Sequence, residues 1–108
     1  MPEKILKKHP KLDAVFGVSD EMALGALDTI IKKNLNGDVF VVGLDGNYNA
    51  MKSIKEGNLT ATLNTNPIEM GRILMRTILR SKIKGEKIEG KTYVPITMVD
   101  LANVSQFL

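Results

Sequence analysis

The chain has 108 residues, of which 44% are hydrophobic and 25% charged, a balance typical of one globular domain rather than of a disordered or fibrous protein. Fifteen lysines and arginines and twelve acidic residues give a formal charge of +3. This excess is small and the basic and acidic residues are interleaved along the sequence, which argues against a nucleic-acid-binding protein. The absence of cysteine excludes disulfide frameworks and thiolate metal sites, and no apolar run approaches the roughly 18 residues that cross a membrane.

The first part of the chain predicts a helix, a strand and a second helix. Residues 13–18 form a short apolar run with β-branched residues, which is typical of a buried strand. Ser19 and the two carboxylates that follow it suit the amino terminus of a helix. Apolar residues then recur at helical spacing up to about Lys33, and the stretch 34–37 predicts a turn.

The same alternation repeats in the next stretch of the chain. Residues 38–43 form a second apolar run and predict a second buried strand. A helix is predicted over residues 48–56, with Met51 and Ile54 directed inward. Gly57 follows at the position where a left-handed helix end favours glycine, so the sequence marks the end of this helix as well as its buried face.

The last part of the chain predicts a third strand, a long helix and a fourth strand. Residues 59–63 form a short, threonine-rich strand. The segment 66–69 (NPIE) combines an N-cap, a proline at the first helical position and a glutamate three residues beyond the cap. The helix is predicted to run to about residue 81, with these residues on its buried face: Met70, Ile73, Leu74 and Ile78. The final strand, residues 93–99, contains Pro95, which is typical of an edge strand or of a crossing between two parts of a molecule.

This order of elements predicts the fold class. Strands that are apolar throughout and are separated by helices pair in parallel, with the helices as crossovers. We therefore expect residues 1–108 to form a single α/β domain, with a parallel sheet flanked by helices. The six methionines fall at helical spacing and are predicted to fill the core, because there is no tryptophan and aromatic residues make up only 5% of the chain.

Three polar segments follow the predicted strands. Ser19 and Asp20 follow the first strand, residues 45–47 (DGN) the second, and residues 64–66 (NTN) the third. Ligands of open parallel sheets bind outside the carboxyl ends of the strands, so we expect these segments to share one edge. Their hydroxyls, amides and carboxylate, with no lysine or arginine nearby, suit a neutral polyhydroxylated ligand better than an anion. Each segment taken alone also has a purely structural explanation, as a helix cap or a turn.

Catalytic and metal sites are hard to assemble from this sequence. His9 is the only histidine, and it lies beside Pro10 in a charged stretch that predicts exposure. With one histidine and no cysteine, neither a nucleophile–base pair nor a zinc site is expected. Gly43 and Gly46 do not form a dinucleotide or phosphate-binding motif. We therefore expect no enzymatic activity, no metal and no cofactor.

Six segments of the chain carry a resemblance to a known family. They are residues 15–27 (VFGVSDEMALGAL), 39–46 (VFVVGLDG), 54–62 (IKEGNLTAT), 67–71 (PIEMG), 94–99 (VPITMV) and 103–104 (NV). In order and spacing, this set is similar to the periplasmic ribose- and galactose-type sugar-binding proteins of ABC transporters. The resemblance implies the type I periplasmic-binding-protein fold, in which each lobe is Rossmann-like or flavodoxin-like.

The resemblance also implies which residues contact the sugar. Asp45 matches the aspartate that binds sugar hydroxyls in that family. At the position of Ser19 the family usually has asparagine. At the position of Leu44 it has an aromatic residue beside the sugar-binding aspartate, and at the position of Thr65 it often has glutamine or asparagine. With Asn64 from the same polar segment, these are the expected ligand-binding residues. Three of the four matched positions depart from the family, which leaves open a different sugar, weaker binding or another ligand.

Receptors of this family clamp the sugar between two lobes joined by three crossings. By resemblance, the chain is the later part of the C-terminal lobe, is incomplete, and would contribute residues 66–92 to the other lobe. The expected partners are a small sugar, the missing N-terminal lobe or a second copy of the chain in a homodimer, and an ABC permease or chemoreceptor. The full-length family is periplasmic or extracellular, although the start of this chain lacks the apolar stretch of a signal peptide. With most of the contact surface missing, weak sugar affinity is expected.

The alternative is the effector-binding core of a lactose-repressor-type transcription regulator, which shares this fold. Such regulators usually have a longer loop before the second strand and two consecutive aspartates after it. Here the loop is residues 34–37 (NLNG), and Asp45 is followed by Gly46. These differences favour transport or chemoreception over regulation.

Overall fold

Residues 1–108 are all described by the structure, a computed structural model, and they alternate between helices and strands as the sequence predicts. The helices are α1 (Pro2–Lys8), α2 (Asp20–Lys32), α3 (Tyr48–Lys55) and α4 (Pro67–Lys84). The strands are β1 (Ala14–Phe16), β2 (Phe40–Asp45), β3 (Ala61–Asn64) and β4 (Thr97–Asp100), followed by one turn of 3-10 helix at Val104–Gln106. None of the helices has both the length and the apolar character needed to span a bilayer.

The four strands form one mixed sheet in the order β1–β2–β3–β4. Strands β1, β2 and β3 are parallel, with Val15 opposite Val41 and Asp45 opposite Asn64. Helices α2 and α3 are the crossovers between them, which confirms the predicted α/β fold with helices flanking a sheet. The expectation of parallel pairing does not extend to β4, which runs antiparallel to β3 and places Thr97 opposite Asn64.

The direction of β4 follows from the path of the chain through α4. A parallel partner for β3 would need a crossover that returns the chain to the other end of the sheet. Helix α4 instead leaves from the carboxyl end of β3, and the chain comes back to that same end. Strand β4 lies at the edge of the sheet, which is one of the two predicted alternatives. The prediction that Pro95 lies within this strand is wrong, because β4 begins at Thr97.

The hydrophobic core lies between the sheet, α2, α3 and the short helix after β4. Its largest fully buried apolar side chains are Ile30 of α2, Ile54 of α3, and Val41 and Val99 of the sheet. The predicted inward directions of Met51 and Ile54 are confirmed. The prediction that all six methionines fill the core is wrong, since Met51 alone is buried and the others lie on faces that nothing in the chain covers.

Helix α4 contributes no buried residue. Leu74 is 62% exposed, and Met70 and Ile78 are exposed as well, so the prediction that this face is buried is wrong for this chain. The radius of gyration is 18.0 Å, whereas a compact domain of this length would have about 13 Å. Residues 86–89 return along the helix and line a shallow groove beside Ile73. The sheet therefore forms the packed part of the molecule, and α4 extends away from it without a partner.

The start of α4 also differs in detail from its prediction. Pro67 occupies the first helical position, as expected. Asn66 is at the N-cap, but its φ of 55° is left-handed and its side chain caps no backbone N–H. A capping side chain normally requires an extended backbone at the N-cap, so the predicted capping role of Asn66 is wrong.

Candidate functional site

The carboxyl ends of β1, β2 and β3 meet at one edge of the sheet, and the three predicted polar segments come together there. Asp45, the last residue of β2, lies directly opposite Asn64, the last residue of β3. The amino terminus of α2, which follows β1, is joined to the same place because Asp20 accepts a hydrogen bond from the N–H of Gly46 at 2.8 Å. The fold therefore brings the three segments to one edge of the sheet, as predicted. The binding of a ligand there stays a prediction.

Ser19 is the N-cap of α2. Its backbone is extended, with a φ of −145°, and its hydroxyl oxygen accepts a hydrogen bond from the N–H of Met22 at 3.2 Å. A serine hydroxyl has one donor hydrogen and two lone pairs, so capping uses one lone pair. The side chain is half-buried, and its hydroxyl hydrogen makes no hydrogen bond within the chain.

Asp20 is the buried centre of the edge, with no solvent-exposed surface. Its Oδ2 accepts hydrogen bonds from the backbone N–H of Gly46 at 2.8 Å and of Asn47 at 2.7 Å. Its Oδ1 accepts one from the hydroxyl of Thr62 at 2.6 Å. The sequence predicts that Asp20 either belongs to the first polar segment of the edge or serves as a cap or first-turn carboxylate. It does not predict the full burial or the partners, which lie far along the chain. Gly43 is a distant signal, because any Cβ there would collide with the Asp20 carboxylate, but it becomes informative only once the register of the sheet is known.

Asp45 presents the free carboxylate of the edge. Its φ is +130°, which is unusual for a residue with a side chain and persists only where the surroundings hold it. Its carbonyl oxygen accepts a hydrogen bond from the backbone N–H of Thr65 at 3.1 Å. The side chain is exposed and has no hydrogen bond or ion pair within the chain. The backbone of Asp45 is therefore constrained while both of its carboxylate oxygens remain available.

The remaining predicted residues surround Asp45. The Oδ1 of Asn64 accepts a hydrogen bond from the N–H of Asn66 at 2.9 Å, which leaves its amide hydrogens available. The hydroxyl of Thr65 lies 3.4 Å from the carbonyl oxygen of Asp45. Leu44 is half-buried beside them. Gly46, with a φ of +80°, allows the loop to approach β3, because a Cβ there would lie 2.8 Å from the Cα of Asn64.

The charges at this edge are negative. Asp20 is joined by Glu21, whose Oε1 accepts a hydrogen bond from the side chain of Asn47 at 2.6 Å. None of the segments 17–21, 43–48 and 62–67 contains lysine or arginine. No group of three or more histidine, aspartate or glutamate side chains is arranged to hold a metal ion. The edge thus offers hydroxyl, amide and carboxylate groups and no cationic side chain, a set whose chemistry suits hydroxyl groups better than phosphate or carboxylate.

The sequence matches the family described as the periplasmic binding protein domain over residues 3–87. It is 37% identical over 97 residues to the ribose import binding protein of Bacillus subtilis, covering 89% of this chain and 30% of that relative. It is 28% identical over 102 residues to the D-allose-binding periplasmic protein of Escherichia coli, covering 94% of this chain and 33% of that relative. The chain therefore spans about a third of the length of these relatives.

Solved structures give the same result for the fold. A periplasmic solute-binding protein of an ABC transporter from Actinobacillus succinogenes, with bound D-allose, superposes with a TM-score of 0.90 at 28% identity, covering 97% of this chain and 37% of that chain. A solute-binding protein from Bacillus halodurans, with bound myo-inositol, gives a TM-score of 0.86 at 29% identity, covering 98% of this chain and 36% of that chain. The sheet and α4 together thus reproduce about a third of such a molecule, including the position of α4 away from the sheet.

Proposed function

The chain belongs to the periplasmic binding protein domain family, and from this premise we propose that it binds a small sugar or related polyol without chemical conversion. The proposed ligand residues are Ser19, Leu44, Asp45, Asn64 and Thr65. The observation that carries the proposal is the Asp45 carboxylate, which is exposed, has no partner within the chain and stands on a backbone with a φ of +130°.

The chemistry of the edge supports a polyhydroxylated ligand. The two oxygens of the Asp45 carboxylate can accept hydrogen bonds from two adjacent hydroxyls, and such charge-assisted bonds are stronger than neutral ones. The hydroxyl of Ser19 and the amide hydrogens of Asn64 can donate to sugar oxygens on either side. Because the neighbouring segments contain no lysine or arginine, an anionic ligand would meet an uncompensated carboxylate.

The relatives support the same class of ligand. Their names and bound molecules include ribose, D-allose and myo-inositol, all of which are neutral and carry adjacent hydroxyls. Leu44 offers this chain an aliphatic side chain, not an aromatic ring, beside Asp45. Packing against the apolar face of a sugar is therefore weaker here, so Asp45 would carry a larger share of the binding energy.

We also propose that the sugar site is completed by protein outside this chain. Helix α4 has an apolar face without a buried residue, which supports the assignment of residues 66–92 to a second lobe. The missing N-terminal lobe is the proposed partner for that face, and a second copy of the chain in a homodimer is the other candidate. In the whole protein, the proposed setting is periplasmic, with delivery of the sugar to an ABC permease or a chemoreceptor. The reported relatives are transport binding proteins, and no observation favours the transcription regulator.

The test is an NMR titration of the chain with D-ribose, D-allose and myo-inositol, compared with two variants. Asp45→Asn keeps the shape of the side chain but removes its charge, and it should weaken binding about tenfold. Asp38→Asn makes the same change on an exposed aspartate just before β2, at the opposite end of the strand, and should leave binding unchanged. Equal affinities for the wild type and Asp45→Asn would refute the proposed role of Asp45.

A further inference from the structure

We propose that Asp20 is a positioning residue, which fixes the backbone after Asp45 and so aims the Asp45 carboxylate at the ligand. This inference rests on the proposed function, since it concerns the same site. Asp20 is fully buried, yet its carboxylate has three hydrogen-bond donors and no cationic partner. Nothing in the ligand chemistry of the edge uses Asp20 directly, because the side chain is not accessible to a ligand.

The contacts of Asp20 distinguish it from an ordinary helix-start carboxylate. A carboxylate in the first turn of a helix usually stabilises that helix by accepting from its own free N–H groups or by favourable interaction with its dipole. In α2 the capping hydrogen bond is made by Ser19. All three hydrogen bonds to Asp20 come from elsewhere, two from the loop after β2 and one from Thr62 of β3. The side chain therefore joins separate elements at the edge.

The two loop contacts fall on the residues that directly follow Asp45. The N–H groups of Gly46 and Asn47 both point to the Oδ2 of Asp20, at 2.8 and 2.7 Å. The carbonyl oxygen of Asp45 belongs to the same peptide unit as the N–H of Gly46, and it accepts a hydrogen bond from the N–H of Thr65, at 3.1 Å. The peptide unit after Asp45 is thus held at both its N–H and its C=O, while pairing of β2 with β3 holds the strand before it, and together these contacts fix the sparsely populated φ of Asp45.

The surroundings of Asp20 fit a carboxylate better than an amide. Both oxygens face donors, so a group that only accepts hydrogen bonds satisfies every partner. Gly43 makes room for the carboxylate, because a Cβ at that position would collide with it. Thr62, which is itself fully buried, donates its hydroxyl hydrogen to it. An asparagine at position 20 fits the space, and the Thr62 hydroxyl oxygen can accept from its amide, but the two loop N–H groups then meet a weaker, neutral acceptor instead of a charged one.

The wild-type chain provides the first test, by amide hydrogen exchange. If Asp20 holds the loop, the N–H groups of Gly46 and Asn47 should exchange as slowly as those of the β2–β3 ladder. Exchange of these two amides at the rate of exposed loop residues would overturn the proposal without any variant being made.

Three variants then separate positioning from simple stabilisation. Asp20→Asn should speed the exchange of Gly46 and Asn47 about ten- to a hundredfold and shift the HN–Hα coupling constant of Asp45, which reports its φ. Thr62→Val keeps both loop hydrogen bonds, so it should lower the urea midpoint but leave that coupling constant unchanged. Asp28→Asn is the matched control on the same helix, since Asp28 is exposed and bonded only to Lys32, at 2.7 Å.

The affinity for D-ribose, measured on the same samples, completes the test. Asp20→Asn should weaken binding about tenfold, whereas Thr62→Val and Asp28→Asn should bind as the wild type does. If Thr62→Val weakens binding as much as Asp20→Asn, the role of Asp20 is only structural and the inference is wrong. If the wild type binds no sugar at all, the proposed function fails. The exchange rates and the coupling constant of Asp45 then still decide whether Asp20 positions it.

Discussion

Replacing Asp45 with glycine should stabilise the chain and weaken sugar binding at the same time. A residue with a side chain in a sparsely populated backbone region costs about 1–3 kcal/mol, and the φ of Asp45 is +130°. Glycine removes that cost but adds about 0.5–1 kcal/mol of conformational entropy to the unfolded state. The exposed carboxylate has no hydrogen bond within the chain, so its removal breaks no internal contact. The expected net stabilisation is about 1 kcal/mol, which raises the Tm of a domain of this size by about 4–8 °C.

The assay is thermal and urea unfolding followed by circular dichroism, with two control variants. Asp45→Ala also removes the carboxylate but keeps a Cβ, so it should remain strained and be less stable than Asp45→Gly. Asp38→Gly makes the same substitution where φ is not positive, and it should lose stability. If Asp45→Gly is no more stable than Asp45→Ala, the backbone of Asp45 is not strained, and the reasoning that its carboxylate is held for a ligand fails.

Two other pairs of substitutions test the packing. Gly46→Ala should destabilise the chain by about 2–3 kcal/mol in urea unfolding, because its φ is +80° and a Cβ would lie 2.8 Å from the Cα of Asn64. Gly25→Ala in α2, where a Cβ meets nothing within 4 Å, should instead add up to about 1 kcal/mol. Ile54→Ala in the core should cost about 2–5 kcal/mol, and Leu74→Ala on α4, 62% exposed, less than about 0.5 kcal/mol. A large loss for Leu74→Ala would show that α4 packs on this chain or on a second copy of it.

The α/β alternation could be predicted because its signals are local. Apolar runs with β-branched residues marked the strands, and Met51 and Ile54 at helical spacing marked the inner face of α3. The placement of Asp45 beside Asn64 also followed, since the carboxyl ends of parallel strands share an edge. Local pattern and a topological rule were sufficient for this part of the fold.

The exposure of α4 and the direction of β4 could not be predicted from such patterns. The apolar spacing of Met70, Leu74 and Ile78 shows that a face favours burial, but it does not show which surface will cover it. Residues 93–99 are largely apolar, which by the rule applied to the other strands predicts parallel pairing, so composition alone gives the wrong direction for β4. Only the path of α4 away from the sheet decides that β4 begins beside Asn64.

The role of Asp20 was missed for a different reason. Its hydrogen-bond partners are 26, 27 and 42 residues further along the chain, at Gly46, Asn47 and Thr62. Next to Ser19, an aspartate has the local appearance of a helix-start residue, and nothing in its neighbourhood signals full burial. Gly43 and Thr62 are informative only once the register of β2 and β3 is known.

We propose that the chain carries one side of a sugar site at the carboxyl edge of its sheet. A residue-resolved amide NMR titration of the isolated chain with D-ribose and D-allose tests this. The sugar concentration is taken to about 0.1 M so that it saturates even a weak site, with a dissociation constant of about 1 mM and a binding free energy of about −4 kcal/mol. We expect saturable shifts confined to residues near Ser19, Asp45 and Thr65, with α4 unaffected. Saturable shifts that fall elsewhere, or a folded chain that neither sugar perturbs at that concentration, would contradict the account.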